Sequence, residues 1–315
     1  MRKSQAILLL LLICSGLAAQ QEPQFNLYMF NRVALNPAAA GTDRMINVIG
    51  FGRDQWIGYK NTDDVAVNPL TFGLSFDMPV YRISSGAGLT CQYNKTGAET
   101  NLDVKIHYAY HLSIQKKHLI SAGLSLDLLS KSIDYSKVEP FEDDPVLPDT
   151  KESGFMTDFD LGIQYKAYDR FNLGVSVTNL LGSSAEIGTP EFTRARHFYL
   201  YSGYDLTLVD DRNQSIMLTP GILVRTTTGA LNVDLNAILS YNDFFWGGVM
   251  YRVNSAAGIM AGISFQGLKA GISYDYTMKS DFASGSRHSV EFFVRYSYAI
   301  HPPVVKKSGY NTRNM

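Results

Sequence analysis

Apolar and polar residues alternate with a period of two from Asn101 to Ser113. The apolar positions are Leu102, Val104, Ile106, Tyr108, Tyr110 and Leu112. Because successive side chains of a β-strand point to opposite faces, this stretch predicts a strand with one apolar and one polar face. A strand of a soluble sandwich has the same pattern. However, this run is long and the alternation returns along nearly the whole chain, which favours a membrane barrel, apolar towards lipid and polar towards its lumen.

The alternation recurs in about fourteen stretches. They begin near Met45, Leu70, Ala87, Asn101, Ala122, Phe159, Leu173, Phe198, Ile216, Leu231, Phe244, Gly258, Leu268 and Val290. The first of them, Met45–Tyr59, has an ambiguous parity. Tight connections such as Gln266–Gly267 alternate with long ones such as Lys131–Gly154, as periplasmic turns and surface loops do in outer-membrane barrels. The sequence therefore predicts an all-β fold, a closed transmembrane antiparallel β-barrel of about 14 strands with both chain ends on the periplasmic side.

Three segments outside the barrel have other patterns. Residues 1–20 have the basic start, apolar middle and small-residue end of a secretory signal peptide, with cleavage expected after Ala19 or Gln20. In residues 21–44 apolar and polar side chains do not alternate cleanly, and Asn36-Pro37 interrupts any helix. This segment is therefore predicted to be a short helical or irregular lead-in. Residues 299–315 contain Pro302-Pro303 and several lysine and arginine residues, a composition that predicts a mobile extension. The expected division is a signal peptide at 1–20, a lead-in segment at 21–44, an outer-membrane β-barrel at 45–298 and a periplasmic tail at 299–315.

Charge and cysteine content argue against several classes of function. The formal net charge is -1, and lysine and arginine are dispersed without a basic stripe, so no nucleic-acid partner is expected. After cleavage of the signal peptide Cys91 is the one cysteine left, which excludes an intrachain disulfide. A membrane-spanning helix needs about 18 consecutive apolar residues, and beyond the signal peptide no apolar run is that long.

No catalytic or metal-binding motif stands out. The sequence contains no G-x-S-x-G, H-E-x-x-H, C-x-x-C or phosphate-cradling glycine loop. His107 and His111 share the lumen parity, but four residues of strand separate them by about 13 Å. That distance is too long for one metal ion, whose ligand bonds are about 2 Å. We predict no cofactor and no enzymatic activity.

An acidic connection raises the question of a Ca²⁺ site. Its carboxylates are Glu139, Glu142, Asp143, Asp144, Asp149 and Glu152. Their spacing matches no EF-hand loop, and prolines interrupt the segment. We therefore expect a solvated run of charges.

The chain also carries an ordered set of short motifs. They are Tyr28-Met29-Phe30-Asn31, Leu35-Asn36-Pro37-Ala38 through Gly41, Arg53 with Gln55-Trp56, Tyr108-Ala109-Tyr110-His111-Leu112, Gly123-Leu124, Asp144-Pro145-Val146, Gly174-Val175-Ser176, His197-Phe198-Tyr199, Asn242-Asp243-Phe244-Phe245-Trp246 and Ser273-Tyr274-Asp275-Tyr276. Together they resemble the PorP/SprF family of outer-membrane proteins, which belongs to the type IX secretion system of Bacteroidetes. Two features depart from the family pattern. Arg32 stands where proline is usual, and the basic tail after Tyr298 extends beyond the usual end.

The resemblance implies a non-enzymatic barrel of the cell outer membrane that serves protein export. It implies three partners: outer-membrane lipid, periplasmic ring components of the secretion machine, and secreted surface proteins such as adhesins, including those of gliding motility. The candidate structural or partner motif consists of Tyr28, Met29, Phe30, Asn31, Asn36, Pro37, Arg53, Gln55 and Trp56. For Arg53, Asp54 and Trp56, an internal brace between lead-in and barrel wall is favoured over a partner contact.

Two other functions are compatible with a barrel. The first is an outer-membrane channel or transporter for small solutes, because a polar lumen of this width passes water. In that case Gln24–Gly41 is the candidate plug. The second is an outer-membrane hydrolase, which needs a nucleophile and a base at one site, and the order of residues along the chain indicates none.

Overall fold

The computed structural model of the protein describes residues 22–60, 66–115, 117–137, 150–167, 170–188, 191–227, 230–278 and 286–300. Three features predicted from the sequence lie outside the described residues. They are the signal peptide, all of the acidic connection except Glu152, with its Asp144-Pro145-Val146 motif, and the tail beyond Ile300.

The described residues form seventeen strands. They are β1 (Met45–Asp54), β2 (Leu70–Val80), β3 (Ser85–Thr96), β4 (Glu99–Ile114), β5 (His118–Asp134), β6 (Lys151–Ala167), β7 (Phe171–Thr178), β8 (Ser184–Ala185), β9 (Phe192–Thr193), β10 (His197–Tyr204), β11 (Leu206–Asp210), β12 (Ser215–Thr227), β13 (Ala230–Tyr241), β14 (Phe245–Arg252), β15 (Ala256–Phe265), β16 (Leu268–Thr277) and β17 (His288–Ala299). Strands β8 and β9 pair only with each other, in the connection between β7 and β10.

The other strands close into one antiparallel ring. Strands β10 and β11 together form one wall strand that is interrupted at Asp205, since both pair with β12. The first and last strands, β1 and β17, pair from Met45 opposite Ala299 to Asp54 opposite Val290. Closure matters because lipid offers no hydrogen-bond partner to an unpaired edge. The predicted 14-strand antiparallel β-barrel is confirmed.

The two faces of each wall strand differ as the alternation predicts. On β4, Ile106 and Tyr108 are 50% and 48% exposed, whereas Lys105, His107 and Ala109 are buried. The exposed apolar side chains form the lipid-facing surface, and the polar parity points into the lumen.

The lead-in folds into three single turns of 3₁₀ helix, as expected for a short helical or irregular segment. They are Tyr28–Phe30, Arg32–Ala34 and Pro37–Ala39. The side chain of Asn36 caps the third turn by accepting a hydrogen bond from the backbone N–H of Ala38 at 2.9 Å. Pro37 occupies the first position of that turn, where its missing N–H leaves no bond unmade. None of the helices in the described residues is long and apolar enough to cross a bilayer.

The connections between strands divide between two rims. The strand ends that are joined by the long connections, at 55–69, 135–150, 179–196 and 278–287, lie at one rim. At the other rim the connections are two to four residues long. By the rule for outer-membrane barrels, the short-turn rim is periplasmic and the long-loop rim faces the cell exterior. Strand β1 starts and β17 ends at the short-turn rim, as an even number of strands requires, but the chain that precedes β1 does not begin there.

Two observations correct the sequence analysis. Strand β1 ends at Asp54 rather than continuing to Tyr59, because Trp56 has φ +55° and turns the chain at the long-loop rim. Glu22, at the start of the described lead-in, lies at the long-loop rim beside Thr178 and Asn179. The lead-in therefore runs down the lumen towards the periplasmic rim, a path that the alternation does not indicate.

A charge on the outer face tests the lipid-facing assignment. Ile106→Arg, midway along the apolar face of β4, is expected to lower the free energy of unfolding by about 2–4 kcal/mol. Thr100→Arg, outward on the same strand near the long-loop rim, is expected to cost about 0–1 kcal/mol. Urea titration of protein folded into lipid vesicles measures both. Equal losses for the two variants would contradict a lipid face.

Candidate functional site in the plugged lumen

Residues 22–44, termed the plug from here on, lie inside the barrel against wall strands on all sides. One side packs on apolar residues of the wall. The ring of Phe30 stacks on Phe293 with 4.5 Å between centroids and lies 4.8 Å from the ring of Trp246. Leu27 belongs to the same cluster, together with Ile49 and other inward side chains of the wall. The plug thus buries apolar surface within the lumen, which is the main favourable contribution to its docking.

The inner wall is therefore less polar than the alternation predicts. Phe51, Trp246 and Phe293 point inward, although the strict barrel pattern assigns that parity to polar residues. They are buried because the plug, and not water, faces them. Their inward position also explains the ambiguous parity of β1, on which Ile49 and Phe51 face the plug while Val48 faces lipid.

A buried carboxylate fastens the start of the plug to the seam of the barrel. Glu291 on β17 accepts hydrogen bonds from the backbone N–H groups of Asn26 at 2.7 Å and Leu27 at 2.9 Å. Its Oε2 also lies 3.1 Å from Nη1 of Arg53, the residue directly opposite on β1. The other end of the Arg53 guanidinium, Nη2, lies 2.9 Å from Asp275 Oδ1. Every charge in this group has a partner, which is the condition for burying charges.

Wall glycines let the middle of the plug approach the backbone of the barrel. A Cβ on Gly123 would lie 2.2 Å from the backbone nitrogen of Ala38, and one on Gly162 would lie 1.9 Å from Asn36 Oδ1. A Cβ on Gly86 would lie 2.0 Å from the carbonyl oxygen of Ala40. Any larger residue at these positions would hold the plug away from the wall.

Asn36 uses this close approach to cross-link the plug and the wall. Its Nδ2 donates to the carbonyl oxygen of Ile163 on β6 at 3.1 Å, while its Oδ1 caps the third helical turn. Ser176 on β7 donates to the carbonyl oxygen of Leu35 at 2.6 Å. Both the oxygen and the nitrogen of the Asn36 side-chain amide thus form hydrogen bonds when the plug is docked.

The periplasmic end of the plug is held by carboxylates. Asp43 forms ion pairs with Lys166 on β6 and with Arg295 on β17, the latter at 2.7 Å. Burial alone would raise the pKa of Asp43, but these two cations hold the pKa well below its usual value. Asp77 on β2 accepts a hydrogen bond from the backbone N–H of Gly41 at 2.9 Å. Asp43 is therefore ionised at neutral pH and joins two distant wall strands.

The outer end of the plug is held by Glu22. Its Oε2 accepts a hydrogen bond from the hydroxyl of Tyr199 at 2.7 Å, and its Oε1 accepts one from Asn179 Nδ2 at 3.1 Å. Burial alone would raise the pKa of Glu22, but the charge of Lys105, the neighbouring ring of His197 and the hydrogen bond from the Tyr199 hydroxyl lower the pKa to about 2. A carboxylate thus fixes each end of the plug.

Six of the nine residues of the predicted structural or partner motif lie in the plug, and Arg53 is linked to it through Glu291. Tyr28, Phe30, Asn36 and Pro37 are buried there. Met29 packs against the apolar cluster around Phe30 and against a second inner cluster, formed by Tyr28, Tyr199, Tyr201 and Leu223. Asn31 Nδ2 donates to Ser75 Oγ at 3.0 Å. Arg53 pairs with Glu291, which in turn binds the plug, and its role as an internal brace stays a prediction.

Gln55 and Trp56 lie apart from that group, in the turn at the long-loop rim. The backbone N–H of Gln55 donates to the carbonyl oxygen of Pro69 at 2.9 Å. The indole N–H of Trp56 donates to Thr277 Oγ1 at 3.2 Å. Trp56 therefore ties the first loop to strand β16 and does not contact the plug through these bonds.

The two lumen histidines have separate partners. His107 Nε2 shares a hydrogen bond of 3.0 Å with Thr90 Oγ1, and His111 Nε2 donates to the carbonyl oxygen of Ala40 at 2.9 Å. Across the described part of the chain, no three His, Cys, Asp or Glu side chains are grouped so that they could hold a metal ion.

A cavity opens at each end of the plug. The outer one, about 340 Å³, includes Glu22, Phe25 and Leu35 of the plug in its lining. The periplasmic one, about 460 Å³, includes Met29 and Arg32 of the plug. The plug lies between these two cavities.

Comparison of the sequence with protein families gives one match. A family model described as "Type IX secretion system membrane protein PorP/SprF" matches residues 17–296, which include the plug and almost all of the barrel wall. No curated protein matches the sequence.

Solved structures of barrels are similar in fold. The toluene transporter TbuX of Ralstonia pickettii has a TM-score of 0.50 and 12% identity, with 85% of this chain and 93% of TbuX covered. The toluene transporter TodX of P. putida has a TM-score of 0.49 and 9% identity, with 84% of this chain and 93% of TodX covered. At 12% identity, the likeness to TbuX shows a common fold and says nothing about substrate.

Removal of the Glu291 charge tests how the plug is fastened. Glu291→Gln is expected to lower the free energy of unfolding by about 3–5 kcal/mol, because Arg53 then loses one of its buried partners. Hydrogen exchange at the amides of Asn26 and Leu27 is expected to accelerate in the same variant. The control, Glu186→Gln at an exposed position, is expected to change stability by less than about 0.5 kcal/mol. Unchanged exchange at both amides would contradict the fastening role.

Proposed function

This chain belongs to the PorP/SprF family of type IX secretion system membrane proteins, and from this premise we propose that it is a non-enzymatic outer-membrane component that anchors secreted proteins at the cell surface or assists their export. The cargo class proposed is surface adhesins, with gliding adhesins among them. The periplasmic ring of the secretion machine is the proposed partner at the short-turn rim.

The observation that carries this proposal is the filled lumen. The plug is fastened at both ends by carboxylates and in the middle by Asn36, and it buries apolar surface against the wall. A lumen occupied in this way offers no path for a polypeptide to pass. It supports a platform that holds a partner at its rims rather than a conduit.

A channel for small solutes is the second candidate. The cavities at the two mouths, about 340 and 460 Å³, favour it, since displacement of the plug would join two spaces that each admit small molecules. The polar inward residues beside the plug are compatible with a wetted path. This function requires the plug to move, whereas anchoring does not.

Deletion of the gene tests the anchoring function. In cells that lack the protein, we expect one or a few secreted proteins to disappear from the cell surface and to accumulate in the medium or the periplasm. Surface labelling of intact cells followed by mass spectrometry measures this, with other outer-membrane proteins as the internal control. Normal display of all surface proteins in the deletion strain would count against anchoring.

Single-channel recording in planar bilayers tests the solute channel. The complete protein is expected to show no stable open state, and removal of residues 24–41 is expected to produce one. Gly123→Leu provides a second route, because a side chain there would collide with Ala38 of the plug. Gly247→Leu is the matched control, since a Cβ there has 3.6 Å to its nearest neighbour. Steady conductance through the complete protein would favour transport instead.

A further inference from the structure

A groove, termed the seam groove, interrupts the lipid-facing surface of the barrel where the first and last strands meet. Its volume is about 450 Å³, and it crosses the five neighbouring strands β17, β1, β2, β3 and β4. Its flanks are formed by outward-facing apolar and aromatic side chains, which are Phe72, Leu74, Tyr93, Leu102, Phe292 and Val294. The seam groove is therefore continuous with the surface that the wall presents to lipid.

The seam groove exists because β1 has glycine where the strands beside it have large side chains. Gly50 lies opposite Val294 on β17 and opposite Leu74 on β2. A Cβ on Gly50 would lie 3.6 Å from its nearest neighbour, Cδ2 of Leu74, so the space over this residue is open. Two residues further along β1, the rings of Phe72 and Phe292 approach each other over the strand, with 6.4 Å between their centroids. These rings close the groove on the side of the long-loop rim.

The seam groove lies at mid-height of the wall. Gly50 is five residues from Met45, where β1 starts at the periplasmic rim, and four residues from Asp54, where β1 ends at the long-loop rim. At this height the apolar band of an outer-membrane barrel is surrounded by hydrocarbon, and lipid headgroups lie nearer the two rims. The part of a lipid that reaches the groove is therefore its acyl chain.

Few groups among the described residues of the lining can form hydrogen bonds with a ligand. Gln92 shares the inward parity of Thr90 and also borders the cavity at the long-loop rim, so its side chain faces the lumen. The polar side-chain groups that remain are the hydroxyl of Tyr93 and the weakly polar thiol of Cys91. A headgroup or a peptide backbone would leave most of its hydrogen-bonding groups without partners here, which is costly in hydrocarbon. A hydrocarbon chain has no such groups.

We propose that the seam groove binds one acyl chain of a bilayer lipid, which passes over Gly50 between Val294 and Leu74. Each carbon–carbon contact contributes little by itself, but a chain in the groove contacts side chains on both flanks and the backbone of β1 beneath it. A chain on the convex remainder of the wall is contacted from one side only. The site is on the outer face, so it is independent of the anchoring and channel functions.

Photo-crosslinking of the complete protein in phosphatidylcholine vesicles tests the acyl-chain site. A fraction of the lipid carries a diazirine in the middle of one acyl chain, and mass spectrometry locates the crosslinked residues after illumination. Crosslinks to Leu74, Cys91 and Val294 are expected to be about tenfold more frequent than crosslinks to Val249 and Ile259, which face lipid outside the groove. On the order of ten additional atom contacts would produce that ratio. Equal frequencies at the two sets of residues would overturn the site.

Substitutions that fill the groove locate the site. Gly50→Leu places a side chain in the open space over β1, and Cys91→Leu, as a second variant, narrows the groove from β3. Each is expected to reduce crosslinking at Leu74 and Val294 to the level of the remaining lipid face. Gly247→Leu is the matched control, because Gly247 also faces outward with its Cβ 3.6 Å from the nearest neighbour, but lies outside the groove. Undiminished crosslinking in both groove variants, with heat-modifiable migration on gels verifying their fold, would overturn the site.

A second copy of the chain is the other occupant that the experiment distinguishes. Single-molecule photobleaching of labelled protein in the same vesicles counts the copies in each complex. Monomers with lipid crosslinks concentrated in the groove support the acyl-chain site. Dimers whose groove residues form no lipid crosslinks would assign the groove to a protein interface and overturn it.

Discussion

An ionised carboxylate inside a barrel wall needs partners, and Glu291 obtains them from two different parts of the molecule. Arg53 supplies the opposite charge from the first strand, and the backbone N–H groups of Asn26 and Leu27 come from the plug. Because Arg53 and Glu291 face each other where the first and last strands meet, the same group joins the barrel seam and its contents. Docking of the plug and closure of the wall are therefore energetically coupled. The plug stays in the lumen because Glu291, at the seam between the first and last strands, binds it.

The wall could be predicted from the sequence because lipid imposes a strict rule on every strand. Alternation identified the wall strands other than β1, and the lipid-facing side of β4, since an outward polar residue has no partner in hydrocarbon. The inner face obeys no such rule. Phe51 and Phe293 point inward because Phe25 and Phe30 of the plug cover them. Periodicity within one strand carries no information about that cover. The neighbouring Phe292-Phe293 pair, which breaks the alternation, and the ambiguous parity of β1 are local signals of it.

The site was predictable only in part. The nine-residue motif and the bracing role of Arg53 were predicted from the sequence, and Gly123 appeared in the motif set without a reason that its close contact with Ala38 now supplies. Glu291, Asp43 and Asp77 were missed because their partners are distant in sequence, 238 residues apart for Arg53 and Glu291. Trp56 was grouped with the plug by proximity in sequence, but the turn after Asp54 places it at the outer rim.

The direction of the plug constrains biogenesis. The plug enters the wall at Met45 on the periplasmic rim, yet Glu22 lies at the opposite mouth, so the segment occupies the full passage rather than one opening. A finished cylinder would have to admit this segment through its narrow bore and then let it find deeply buried partners. Insertion of the last hairpin around an already seated segment avoids that threading problem. A cylinder that closes in this order is sealed from the moment of its completion.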